Sequence, residues 1–138
     1  MRPETERSIA YARKLLNDAA LMLETGLDDH AARTAYLACF HMARAYTFER
    51  GGRLAKTHGG VQTEFFRLSK DDPRSDPGLR AFLTIAYRYK ASSDYETGPE
   101  DNPTPDEARA VVETASRFVA AFVLLTPLPS PGPDDEGI

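Results

Sequence analysis

A single cysteine, Cys39, leaves the chain without an internal disulfide or a cysteine-built zinc cage. Long apolar runs are missing as well. The longest, Phe118 to Leu125, is eight residues, against the roughly 20 needed to cross a bilayer, so no membrane span is expected. Residues 1–13 mix Arg, Glu and Ser with no apolar stretch, which predicts no secretory signal and a cytoplasmic protein. Neither a Walker sequence nor a dinucleotide fingerprint occurs, and Gly51-Gly52 and Gly59-Gly60 read as loop punctuation. The three histidines, His30, His41 and His58, never pair at ligand spacing on one helix; no metal site and no cofactor are expected. Period-two alternation and internal repeats are also absent, which excludes a sheet protein and a solenoid.

What remains is 138 residues, 41% hydrophobic and 28% charged, the mixture and size of one soluble domain. The net charge of −4 conceals an asymmetry. Residues 1–93 carry 15 Lys/Arg against 11 Asp/Glu, and residues 94–138 carry 2 against 10. Between Arg44 and Lys90 ten basic residues meet five acidic ones, enough for a local phosphate-binding surface although not for broad nucleic-acid binding.

Helical periodicity divides the chain into five segments. The first runs from about Glu4 to Thr25 on Ile9, Leu16, Ala19 or Ala20, and Leu23, with Gly26 as its C-cap. Asp28 or Asp29 offers an N-cap for a second that ends at Gly51-Gly52. Tyr36, Phe40 and Ala43 mark one side of it and Leu37, His41, Arg44 and Phe48 another, which predicts a central position. Val61, Phe65 and Leu68 suit a short third helix; Asp76-Pro77 opens a fourth with Leu79, Phe82, Leu83 and Ala86 inward. A long loop is expected from Ser92 to Thr104. Thr104-Pro105-Asp106-Glu107 then starts a fifth helix whose apolar face is Ala108, Val111, Val112, Ala115, Phe118, Val119, Phe122 and Leu125. The expectation is an all-α bundle of about five helices over residues 1–126, with a Pro-rich tail over 127–138.

Candidate chemistry concentrates in two places. Lys56-Thr57-His58-Gly59-Gly60 has two readings, an anion held at the start of the third helix or a plain cap by Thr57 or His58. Arg88-Tyr89-Lys90-Ala91-Ser92-Ser93-Asp94-Tyr95 is the densest polar and aromatic cluster. Its cations complement the negative end of a helix dipole, and Arg88 with Ser92, four apart, is also suited to phosphate while Tyr95 stacks on a base. Cys39 reads as a small buried hydrophobe and His41 as a core histidine.

The stretch from Ala31 to Ala45, the block Lys56-Thr57-His58-Gly59-Gly60-Val61 and Ser93-Asp94-Tyr95, in that order and spacing, resemble the HEPN superfamily, in an uncharacterised bacterial branch. The resemblance implies an up-and-down helical bundle that forms a homodimer, with a cleft where the fourth helices of two protomers meet. It further implies a nucleotidyltransferase-type partner, contact with RNA or nucleotide, and a toxin-antitoxin or nucleotide-sensing role. Many members of the superfamily are metal-independent endoribonucleases whose motif is an Arg, four to six residues and a His, with an adenylylated Tyr two positions later. Counted from Arg88, the His position is Ser93 and the Tyr position is Tyr95; a rival alignment starts from Lys90 and also meets no His. Cleavage through a 2′-hydroxyl needs a base and an acid, for which imidazole is suited. In its absence Arg88 with Asp94, or with His41 or His58 from another helix, are the catalytic candidates. Arg88, Lys90, Ser93, Tyr95, Lys56 and His58 are the candidate nucleotide- or RNA-binding residues, and Tyr95 is the candidate modification site. The rival without chemistry is a helical scaffold in which the Arg88 cluster is a helix end.

Overall fold

In the computed structural model, residues 1–95 and 102–128 are described, with only the backbone described over 92–95. The 96–101 part of the expected loop and the expected tail from 129 onward lie outside the described residues. Among the described residues five helices follow in chain order: α1 (Pro3–Glu24), α2 (Asp28–Gly51), α3 (His58–Ser69), α4 (Pro77–Tyr95) and α5 (Pro105–Leu125).

Their ends follow from a few residues. Gly26, at φ 78°, lets the chain reverse after α1 while Leu27 N donates to Met22 O at 2.9 Å and Gly26 N to Leu23 O at 3.2 Å, a Schellman closure of otherwise orphaned carbonyls. The N-cap of α2 is Leu27 rather than an aspartate, and Asp28 and Asp29 lie in the first turn, where their charge complements the helix dipole. Gly52 at φ 74° closes α2, its N–H reaching Phe48 O. Thr57 caps α3 by accepting from Gly60 N, and Thr104 caps α5 by accepting from Glu107 N. Asp76 Oδ1 accepts from Gly78 N at 2.7 Å at the start of α4.

The central position expected of α2 is found: it packs against all four other helices. Ala31, Ala32, Ala35, Ala38, Ala43 and Ala45 are all fully buried on it, and such small side chains let neighbouring helices approach closely. α1 buries Ile9, Ala12, Leu15 and Ala19, so its inward stripe centres on Leu15 where Leu16 was expected. α5 buries all eight apolar positions read from its sequence. Tyr46, Phe65, Phe118 and Phe122 meet where α2, α3 and α5 converge, with the Phe65 and Phe122 rings 4.9 Å apart and those of Phe118 and Phe122 4.7 Å apart. Arg50 fastens the end of α5 by donating to Leu125 O at 2.9 Å. It also stands 3.7 Å from Asp72, which Arg74 grips through both side chain and backbone. Among the described residues no helix is long and apolar enough to cross a membrane.

Candidate functional site

The fourth helix differs from its expectation in length. Ser92 to Tyr95 were expected to open a loop; they form the last turn of α4. Successive helix residues turn by about 100°, so the backbone register places Ser92 and Tyr95 within about 40° of Arg88. On the same count Ser93, Asp94 and Lys90 fall about 120° to 160° away from Arg88. The structure therefore brings Arg88, Ser92 and Tyr95 onto one stripe and sets Lys90, Ser93 and Asp94 on other sides of the same helix. Ser93 falls in line with Ala86 and Tyr89, both buried.

The Arg88 guanidinium is exposed. Its Nη2 donates to Tyr89 Oη at 2.7 Å, and its Cζ lies 4.8 Å from the centre of the buried Tyr89 ring. The hydrogen bond to Tyr89 Oη is the largest influence holding the guanidinium above its ordinary range, and its charge is permanent. The phenol oxygen orients the group, the Glu107 carboxylate of α5 adds a smaller attraction, and the exposed guanidinium keeps paired donors suited to an incoming anion.

The second candidate cluster is built from α2, α3 and α4 together. Tyr36 is fully buried, and its hydroxyl is hydrogen-bonded to His58 Nδ1 at 2.8 Å. Burial pushes the Tyr36 phenol far up, so it stays protonated. The His58 ring stacks on Phe40 at 4.1 Å and lies 5.9 Å from Tyr87, the residue before Arg88. Thr57 acts as the α3 cap, and Lys56 is exposed beside it. His41, expected in the core, is only half-buried, its ring 4.6 Å from that of the exposed Tyr11. Burial above all, then the charge of Arg44 and the nearby His58, lower its pKa. Cys39 is buried, and burial pushes its thiol far up, away from nucleophilic chemistry.

Sequence reasoning missed the Tyr36, His58 and Tyr87 grouping, because its members come from three helices and no local spacing links them. The one signal available was Tyr36 and Phe40 at i and i+4, which places two rings on one side of α2.

Comparison with known proteins gives a consistent result. Residues 5–125 match the HEPN domain. A UPF0332 protein of Archaeoglobus fulgidus is 33% identical over 116 residues, covering 84% of this chain and 90% of the relative. A match that runs from the first turn of α1 to the last residue of α5, on an all-helical bundle of this layout, establishes that the chain belongs to the HEPN domain family.

Proposed function

We propose that the protein binds RNA or nucleotide as one component of a toxin-antitoxin or nucleotide-sensing pair, as a cytoplasmic homodimer beside a nucleotidyltransferase-type partner. The observation that carries this reading is the stripe of Arg88, Ser92 and Tyr95 on the last turns of α4, headed by an exposed guanidinium that the Tyr89 hydroxyl holds in place. A guanidinium recognises phosphate through paired donors, and hydroxyl and aromatic residues one and two turns further on are the types that touch sugar and stack on bases. Family membership supports the same substrate class and the same mode of association. Tyr95 is then the acceptor of an adenylate delivered by the partner: its phenolic oxygen forms the bond to the α-phosphate of ATP, its proton is released, and pyrophosphate leaves.

A second reading is a metal-independent endoribonuclease, with Arg88 on the scissile phosphate. Asp94 stands about 120° from Arg88 on α4, which leaves that catalytic pair dependent on a second protomer. The observation favouring the reading at all is His58, an imidazole from α3 packed against Tyr87 on α4, which offers the residue type that Ser93 replaces in the motif.

The deciding experiment exposes a mixed RNA pool to purified wild type and Arg88→Ala in chelator, following both retention and cleavage. The expected result is RNA bound by wild type, an affinity lower by about tenfold or more in the variant, and no cleavage by either. Cleavage by wild type alone selects the ribonuclease, and equal binding by both proteins overturns the Arg88 site. Coexpression with the partner tests Tyr95 separately: wild type gains the mass of one adenylate and Tyr95→Phe gains none. An equal gain in Tyr95→Phe removes Tyr95 as the acceptor.

A further inference from the structure

A groove of about 310 Å³ opens on the side of the bundle, lined by Glu4, Arg7, Ser8 and Tyr11 of α1, Arg44 of α2, and Leu54 of the connector after α2. Its two cations differ in their surroundings. Arg7 stands 3.8 Å from Glu4, whereas among the described residues the half-buried Arg44 guanidinium pairs with no carboxylate. Keeping a guanidinium partly out of water without a counterion is costly, and an anion relieves that cost. Beside it, Tyr11 and Leu54 are 47% and 43% exposed, which gives the groove an apolar wall that bundle packing leaves uncovered.

From this groove a row of rings crosses the bundle. Tyr11 lies 4.6 Å from His41, His41 5.2 Å from Phe40, Phe40 4.1 Å from His58, and His58 5.9 Å from Tyr87. The row ends one residue from Arg88.

We propose that the groove is a second nucleotide subsite, in which a base rests on Tyr11 and its phosphate on Arg44 and Arg7. Glu4 and Ser8 supply acceptors for base amino or ribose hydroxyl groups. The proposal rests on the reading that this protein binds RNA or nucleotide, and it extends that reading to a surface remote from the Arg88 stripe. One ligand chemistry, a base with its phosphate, has two sources here: a residue of single-stranded RNA, or a free mononucleotide. Exposed rings interleaved with cations are the means by which single strands are held without sequence preference.

The test is fluorescence anisotropy of a labelled single-stranded RNA of mixed sequence, over a range of salt concentrations. Wild type is compared with Tyr11→Ala, Arg7→Glu, Arg44→Gln, Arg88→Ala and a charge control on the exposed face of α5, Arg117→Glu. Tyr11 and Arg7 are exposed, so their variants keep the test valid if Arg44→Gln unfolds, which thermal melting reveals. Tyr11→Ala and Arg7→Glu are expected to weaken binding about tenfold, with the salt slope for Arg7→Glu smaller by about one and Arg117→Glu unchanged. Displacement of the RNA by micromolar adenosine or guanosine monophosphate identifies the free nucleotide as the occupant; resistance to it identifies the strand. Wild-type affinity in Tyr11→Ala and Arg7→Glu, with loss in Arg88→Ala, overturns the groove and leaves the α4 reading standing. The opposite pattern overturns the α4 reading and keeps the groove, and absence of RNA or nucleotide binding by wild type overturns both.

Discussion

The rings of His41 and His58 both pack on Phe40, although one comes from an apolar helix and the other from a Gly-rich connector. Tertiary packing separates their roles: His58 is fixed by a buried phenol, while His41 is half-buried beside Tyr11 and Arg44, where its charged form is disfavoured. The unfolded chain binds a proton on this imidazole at its ordinary value of 6.5, and the folded chain resists doing so. Stability contributed by neutral His41 is therefore full above that value and declines as pH falls through it toward the lowered folded value. Chemical denaturation between about pH 7.5 and pH 5.5 should show wild type losing stability, and His41→Gln should flatten that decline. Asp72 and Glu49, whose carboxyls are held below their usual range by the Arg74 side chain and the Arg2 backbone N–H respectively, respond only at more acid pH, so the window belongs to the imidazoles. An unchanged profile in His41→Gln would show that Arg44 and burial do not disfavour its charge.

Among the helices, those with strong punctuation were the ones legible in advance. α5 carries Thr104 and Pro105 at its start and an uninterrupted 3.6-residue apolar pattern, and all eight positions of that pattern are buried. Gly26 and Gly52 mark reversals because only their positive φ values let the chain turn there at low cost. The end of α4 was not legible, because Ser92, Ser93 and Asp94 are turn formers by composition. Each costs a helix only about 0.5 kcal/mol, less than the packing of Leu83, Ala86 and Tyr89 that holds α4 against the core, and the first strong breakers in the sequence are Gly98-Pro99. The extra turn changes the candidate site, since a loop would let Arg88, Ser93 and Asp94 converge whereas a helix pairs Arg88 with Ser92 and Tyr95. Similarly, Asp28 and Asp29 look like caps, yet the residue that closes α1, Leu27, is also the N-cap of α2, so both aspartates fall inside the first turn.

For the whole bundle, the apolar pattern indicates which face of each helix turns inward but not which rings meet, so the Tyr36 to His58 bond appears only when α2 and α3 are assembled, and the convergence of Tyr46, Phe65, Phe118 and Phe122 only when α5 joins them. The same distinction separates two neighbouring apolar residues on α5. Phe122 is fully buried and within 5.5 Å of the Tyr46, Phe65 and Phe118 rings, while Leu124 is 77% exposed. Truncating Phe122 leaves a cavity that rigid neighbouring rings fill poorly, and Phe122→Ala should cost about 3–5 kcal/mol, a large part of the roughly 5–15 kcal/mol that holds a domain together. Leu124→Ala removes a side chain already in water and should change the stability of a single protomer by less than about 0.5 kcal/mol. Denaturation repeated over a hundredfold range of protein concentration separates that outcome from a role in association. If Leu124 is covered by a second copy, its loss lowers the midpoint only at high concentration, where the dimer is populated. A concentration-independent loss from Leu124→Ala comparable to that from Phe122→Ala would contradict the exposed position of this side chain on the bundle.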